Sequence, residues 1–176
     1  METKENPVLP DNDFQLPYFA PRQEPIWKFT LLSLSSFGIY TLMWYYRQFK
    51  WLNEKNQLGI SPFWRSFFCI FFCYRLFSDL QFEANRRGVP ANYGPGLLAA
   101  GYIIISLLHQ LPDPYWLVSL LDFLLVIPVG AASNGVLAKD YGKNSEFQGL
   151  SALEWGVWLV GAVFTALAIW GTFLPE

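Results

Sequence analysis

Three stretches of this 176-residue chain are as long as a bilayer is thick and nearly free of charge. Residues 92–111 (NYGPGLLAAGYIIISLLHQL) and 155–174 (WGVWLVGAVFTALAIWGTFL) contain no Asp, Glu, Lys or Arg, and residues 115–138 contain only Asp122. A fourth run, Phe29 to Tyr46, has eighteen residues without a charge. At 1.5 Å rise, about twenty helical residues cover the ~30 Å hydrocarbon slab. Four such helices would leave a soluble fold of this size almost nothing to present to water, and a composition of 53% hydrophobic, 19% aromatic and 15% charged residues agrees. The expected fold class is all-α, a polytopic membrane helix bundle with four to five transmembrane helices. They fall at about 28–52, 62–82, 95–111, 115–138 and 152–174.

Residues 1–25 differ in kind. Prolines at 7, 10, 17, 21 and 25, five acids against two bases and little apolar periodicity read as a disordered Pro-rich acidic tail ahead of a transmembrane domain at 26–176. No apolar core of a secretory signal is present in it, so the chain is expected to keep its N-terminus.

The segment SPFWRSFFCIFFCYRLF, residues 61–77, places Arg65 and Arg75 among phenylalanines. On a helix over 62–82, Arg65 is near the start and Arg75 near the end, with Asp79 one turn on as its partner. Both arginines can snorkel, so the segment reads as a short protein-facing span or as a helix lying in the interface. Lys and Arg placement weighs three arrangements, since short loops rich in these residues stay cytoplasmic. Five spans put seven bases inside and three outside, Arg65 and Arg75 set aside; four spans with the helix flat put nine inside and three outside. A hairpin of residues 29–80 that dips in without crossing puts all twelve inside. In every case Arg86, Arg87, Lys139 and Lys143 are cytoplasmic, and the HQLPDP turn and the C-terminus are outside.

Several polar or small residues stand out within the apolar runs. Ser35, Ser36 and Gly38 mark a close helix contact or a break, and close contact is the expectation. Asn53 opens a polar connection, and Ser61-Pro62 is a helix start. Asp122 reads as part of a proton or ion relay or, more simply, as an ion-pair partner of Arg65. Pro128 is expected to kink its helix, and Asn134 to bond across helices. Trp155, Trp158 and Trp170 bracket an anchor helix, with Gly156, Gly161 and Ala162 as packing surfaces. Cys69 and Cys73, four apart, read as packing residues rather than a disulfide.

Catalytic signatures are absent: there is no GxSxG, phosphate loop, HExxH or dinucleotide fingerprint, and His109 is the only histidine. No cofactor or metal site is expected, and nucleic-acid binding has no support. Residues 26–92 carry eight bases and three acids, a basic block beside aromatics that reads as contact with anionic headgroups through Arg47, Lys50, Arg86 and Arg87.

The runs LSSFGIYTLMWYYRQFKWLN and ISPFWRSFFCIFFCY resemble the signature of a group of small, mainly bacterial, multi-pass membrane proteins known as a domain of unknown function. The likeness covers Phe37 to Asn53 and Ser61 to Tyr74, and the later spans only in general pattern. It implies an integral membrane protein, without an activity, in which Phe37, Gly38, Ile39, Tyr40, Trp44, Asn53, Pro62, Trp64 and Arg65 form one local unit. Arg65 and Asn53 are expected to close its loop by hydrogen bonds. Two functions are then open. One is a non-enzymatic protein of the cell membrane acting through lipid or protein contacts, as a homo-oligomer or with a membrane-protein partner. The other is a small transporter or channel component with Asp122, Pro128 and Asn134 along a path.

Overall fold

Phe37 and Gly38 decide the course of the first apolar run, because both take left-handed backbone conformations, with φ of 54° and 76°. Two such residues end a right-handed helix, and only glycine adopts this conformation freely. The structure is a computed structural model that describes residues 21–112, 115–142 and 151–172, and in it α1 (Ile26–Ser35) stops at this point. α2 (Ile39–Asn56) then folds back, its start capped by the Ser36 hydroxyl, which accepts the Tyr40 N–H at 3.0 Å. Phe29 of α1 packs edge-on against Trp44 of α2, ring centroids 5.9 Å apart, and holds the hairpin closed. One continuous helix over 28–52 is thus corrected to a hairpin. The tip is a close contact as well: a Cβ on Gly161 would lie 2.4 Å from the Ser36 carbonyl oxygen.

The second run also breaks. α3 (Pro62–Phe67) begins with proline at its first position, and the Ser66 hydroxyl bonds back to the Pro62 and Phe63 carbonyls at 3.0 and 2.8 Å. This local bonding competes with helix continuation. Phe68, at φ −96° and ψ 37°, separates α3 from α4 (Cys69–Arg86), so the single helix expected over 62–82 is two. α3 lies beside α2, and Phe63 and Phe67 face Leu42, Met43 and Tyr46 across a shared cavity. α4 returns so that Glu83 meets Lys55 at the end of α2. It buries Cys69, Cys73, Leu76, Phe77, Leu80, Glu83 and Ala84, one stripe at helical spacing. Both thiols are free and buried. Tyr45, Phe77 and Tyr102 form the centre of the core, with ring centroids about 6 Å apart.

α5 (Pro95–Leu107) continues into a 3₁₀ turn at Leu108–Gln110, and a longer 3₁₀ helix, Tyr115–Leu125, leads into α6 (Ile127–Tyr141). Pro128 is the second residue of α6, where its missing N–H is needed by no helical bond, so the kink expected inside an α-helix is replaced by this change of helix type. α7 (Ala152–Thr172) packs on the α1–α2 hairpin. Trp158 donates from its indole to the Ser35 hydroxyl at 2.6 Å, and Thr165 donates to the Ser35 carbonyl at 3.2 Å.

The described residues are all helix and connection, with no strand. One helical run among them, Tyr115–Tyr141, is long and apolar enough to cross a membrane, while Pro95–Gln110 and Glu154–Ala168 are shorter apolar helices. The tail expected at 1–25 lies outside the described residues up to residue 20, and residues 21–25 are held against the bundle, with Glu24 only 6% exposed.

The Gly161 contact gives a test of how α7 is docked. Gly156→Ala, whose Cβ meets nothing within 4 Å, gains helix propensity and should leave the melting temperature unchanged or slightly raised. Gly161→Ala carries the same gain but drives a methyl into backbone, and should destabilise by about 1–3 kcal/mol, read as a lower melting temperature.

Candidate functional site

Chain direction brings both ends of the first-half hairpins to one end of the molecule, and the charged side chains collect there in two buried clusters. In the first, Glu24 pairs with one nitrogen of the Arg47 guanidinium, and Glu154 takes another at 3.0 Å and Lys28 at 3.5 Å. Glu154 is fully buried, its carboxylate also accepting the Ser151 N–H at 2.7 Å. Tyr40 donates its hydroxyl to Glu24 at 2.8 Å. Asn134 pins the backbone of the same residue, accepting its N–H at 3.1 Å and donating to its carbonyl at 2.6 Å. Burial pushes the Glu24 carboxyl above its ordinary value of 4.5, against the pull of Arg47, Tyr40 and Lys28.

In the second cluster Glu83 binds both Lys55 and Arg87, and Arg87 also grips Asp140 with two nitrogens at 2.6 and 2.7 Å. Lys55 lies over the Trp51 ring at 4.8 Å, and Lys139 donates to the Arg87 carbonyl. Burial alone would raise the Glu83 carboxyl, but Lys55 and Arg87 outweigh it and hold the group below 4.5. The first cluster sets two acids against two bases, and in the second Arg86 joins Lys55 and Arg87 at Glu83, 3.9 Å away. Between them Ser133 donates to Gln48 at 2.9 Å.

The positions singled out in the sequence fall elsewhere. Arg65 lies over the Phe72 ring at 5.1 Å and pairs with neither Asp122 nor Asn53. Asn53 closes the α2–α3 loop alone, its side-chain oxygen accepting the Ile60 N–H at 2.9 Å. Arg75 and Asp79 form the expected i,i+4 pair at 3.1 Å, with the arginine side chain 64% exposed. Phe37, Gly38, Ile39, Tyr40 and Trp44 build the hairpin tip and its inner face, whereas Trp64 is 58% exposed in a ladder of rings with Phe63, Phe67 and Phe68. Arg47 and Arg87, expected to reach headgroups, are held by internal carboxylates. Lys50 and Arg86 keep more open positions, at 35% and 57% side-chain exposure.

Asp122 and Asn134 lie in separate clefts. Asn134 lines a small one with Glu24, Phe29 and Trp44. Asp122 lines a cavity of about 270 Å³ with Phe37, Ser106, His109, Trp116 and Ser119, beside the hairpin tip and the α5–α6 turn. The 3₁₀ geometry makes this wall: at three residues per turn, Trp116, Ser119 and Asp122 stand directly in line. The next residue of that row, Leu125, packs on Gly101. Ser106 donates to the Asp122 carboxylate at 3.1 Å. Among the described residues no group of three or more His, Cys, Asp or Glu side chains is placed to hold a metal ion.

Comparison with protein families, with curated proteins and with solved structures returns no match to this chain.

Proposed function

We propose that this chain is an integral membrane protein that acts through lipid or protein contacts rather than catalysis, one of the small bacterial membrane proteins that its Phe37–Tyr40 and Ser61–Arg65 runs resemble. In this reading α1–α2 and α3–α4 are hairpins that enter the bilayer from the cytoplasmic face and return, and three apolar segments cross. The observation that carries it is the gathering of Lys28, Arg47, Lys55, Arg87 and Lys139 at one end, tied there by the two ion clusters. Positive residues at one end match a cytoplasmic face. α1, at ten residues, rises about 15 Å, half the hydrocarbon slab, which suits a hairpin and not a span.

The surface agrees. Leu97, Phe71 and Trp170 are 80%, 77% and 69% exposed, and α7 buries only Glu154 and Gly161 among its described side chains. Helices apolar on their outer faces are stable against lipid and unstable against water. The exposed Phe63, Trp64, Phe67 and Phe68 rings suit the interfacial zone, where amphipathic aromatics concentrate.

Single cysteines at Asn12, Asn56, Asn85 and Leu111, on a Cys69→Ser, Cys73→Ser background, test the arrangement in intact cells. Residues 12, 56 and 85 should resist a membrane-impermeant maleimide until the membrane is opened, and residue 111 should react from outside. Labelling of residue 56 from outside would make α2 a span and overturn the hairpin reading.

A further inference from the structure

The cavity beside the hairpin tip has a lining with a definite chemical bias. Its small donors are already committed. The Ser106 hydroxyl donates to Asp122, and the Ser119 hydroxyl donates to the Trp116 carbonyl at 2.7 Å. His109 Nδ1 lies 2.8 Å from the Ser106 carbonyl, which can only accept, so the Nδ1 proton is turned to that carbonyl and away from the cavity. What these side chains still offer is acceptor capacity. Asp122 adds a carboxylate that pairs with no Lys or Arg among the described residues. Phe37 and Trp116 add two aromatic rings, centroids 5.9 Å apart and tilted 56° to each other.

A carboxylate, lone pairs and ring faces around one space select a cation, and the aromatic faces favour an organic one. An anion would meet the Asp122 charge, and among the described residues no Lys or Arg lines the cavity to offset it. At about 270 Å³ the space is just below the ~300–1,000 Å³ of sites for drug-sized ligands and suits a headgroup-sized molecule. We infer that this cavity is a binding site for an alkylammonium group, with Asp122 as counter-ion and Trp116 and Phe37 as the aromatic faces. The group is either a free amine or the ammonium of a zwitterionic lipid headgroup.

The probe is radiolabelled choline, measured by equilibrium dialysis against the full chain in dodecyl maltoside, a detergent without an ammonium group. One saturable site per chain is expected. The neutral isostere 3,3-dimethylbutanol should compete at least tenfold more weakly than unlabelled choline, a comparison that needs no variant. Asp122→Asn and Trp116→Leu should each weaken choline at least tenfold, while Asp79→Asn, outside the cavity, should not. In nanodiscs, loss of choline binding in phosphatidylcholine but not in phosphatidylglycerol identifies the lipid headgroup as the source; equal binding in both identifies a free amine. Absence of saturable choline binding up to millimolar concentration, equal competition by the neutral isostere, or unchanged binding in both cavity variants overturns the inference.

Discussion

Arg47→Leu should cost about 3–5 kcal/mol of stability, the usual price of stranding a buried charge. The guanidinium is the link between Glu24 and Glu154, whose side chains are 6% and 0% exposed. Without it, among the described residues Glu154 keeps Lys28 and the Ser151 N–H, and the Glu24 carboxylate keeps the Tyr40 hydroxyl. Arg47→Lys should recover part of the loss, because an ammonium restores charge but cannot fork to two carboxylates on different elements. Thermal unfolding of the purified protein in neutral detergent reads both. A double-mutant cycle with Glu154→Gln should show strong coupling, since the second change removes the acid that the first leaves stranded. If Arg47 instead served headgroups, Arg47→Leu would weaken binding to anionic vesicles and leave the melting temperature near wild type; that pattern would refute the cluster.

The helix content was legible in the sequence, and the stripe Cys69, Cys73, Leu76, Phe77, Leu80 on α4 follows directly from helical spacing. The breaks were less so. Gly38 signals one, but a left-handed Phe37 goes against local propensity, and its ring contact with Trp116 is long-range. Phe68 carries no breaker signal at all. The cavity wall was hidden for another reason: at 100° per residue Trp116, Ser119 and Asp122 spread over 120°, and only the 3₁₀ geometry aligns them. The ion clusters were missed because their members are far apart in the chain. Glu24 falls within the Pro-rich tail, and nothing local in the sequence sets Glu83, Asp140 and Glu154 apart from the other acids. A usable sign was available in the number of bases in residues 26–92, eight against three acids, which a protein that buries helix ends must neutralise from elsewhere.

The second cluster predicts a loss of similar size with a pH signature. Glu83→Gln leaves Lys55 and Arg87 facing a neutral amide, at side-chain exposures of 3% and 14%, and should cost about 3 kcal/mol at neutral pH. Asp140 limits the damage at Arg87, which it still holds with two bonds, so Lys55 carries most of it. The folded-state carboxyl lies below its ordinary 4.5, so its contribution is fully present above that value and is lost as pH falls through the folded-state value. The difference between wild type and Glu83→Gln should therefore be flat above about pH 5 and shrink below 4.5, where the wild-type carboxyl gains its proton and comes to resemble the amide. Melting curves of both proteins across pH 3–7, in one detergent, separate this from a packing defect, which would keep a constant difference at every pH. A constant difference would mean that Glu83 is held by shape and that the α2–α4 junction does not depend on its charge.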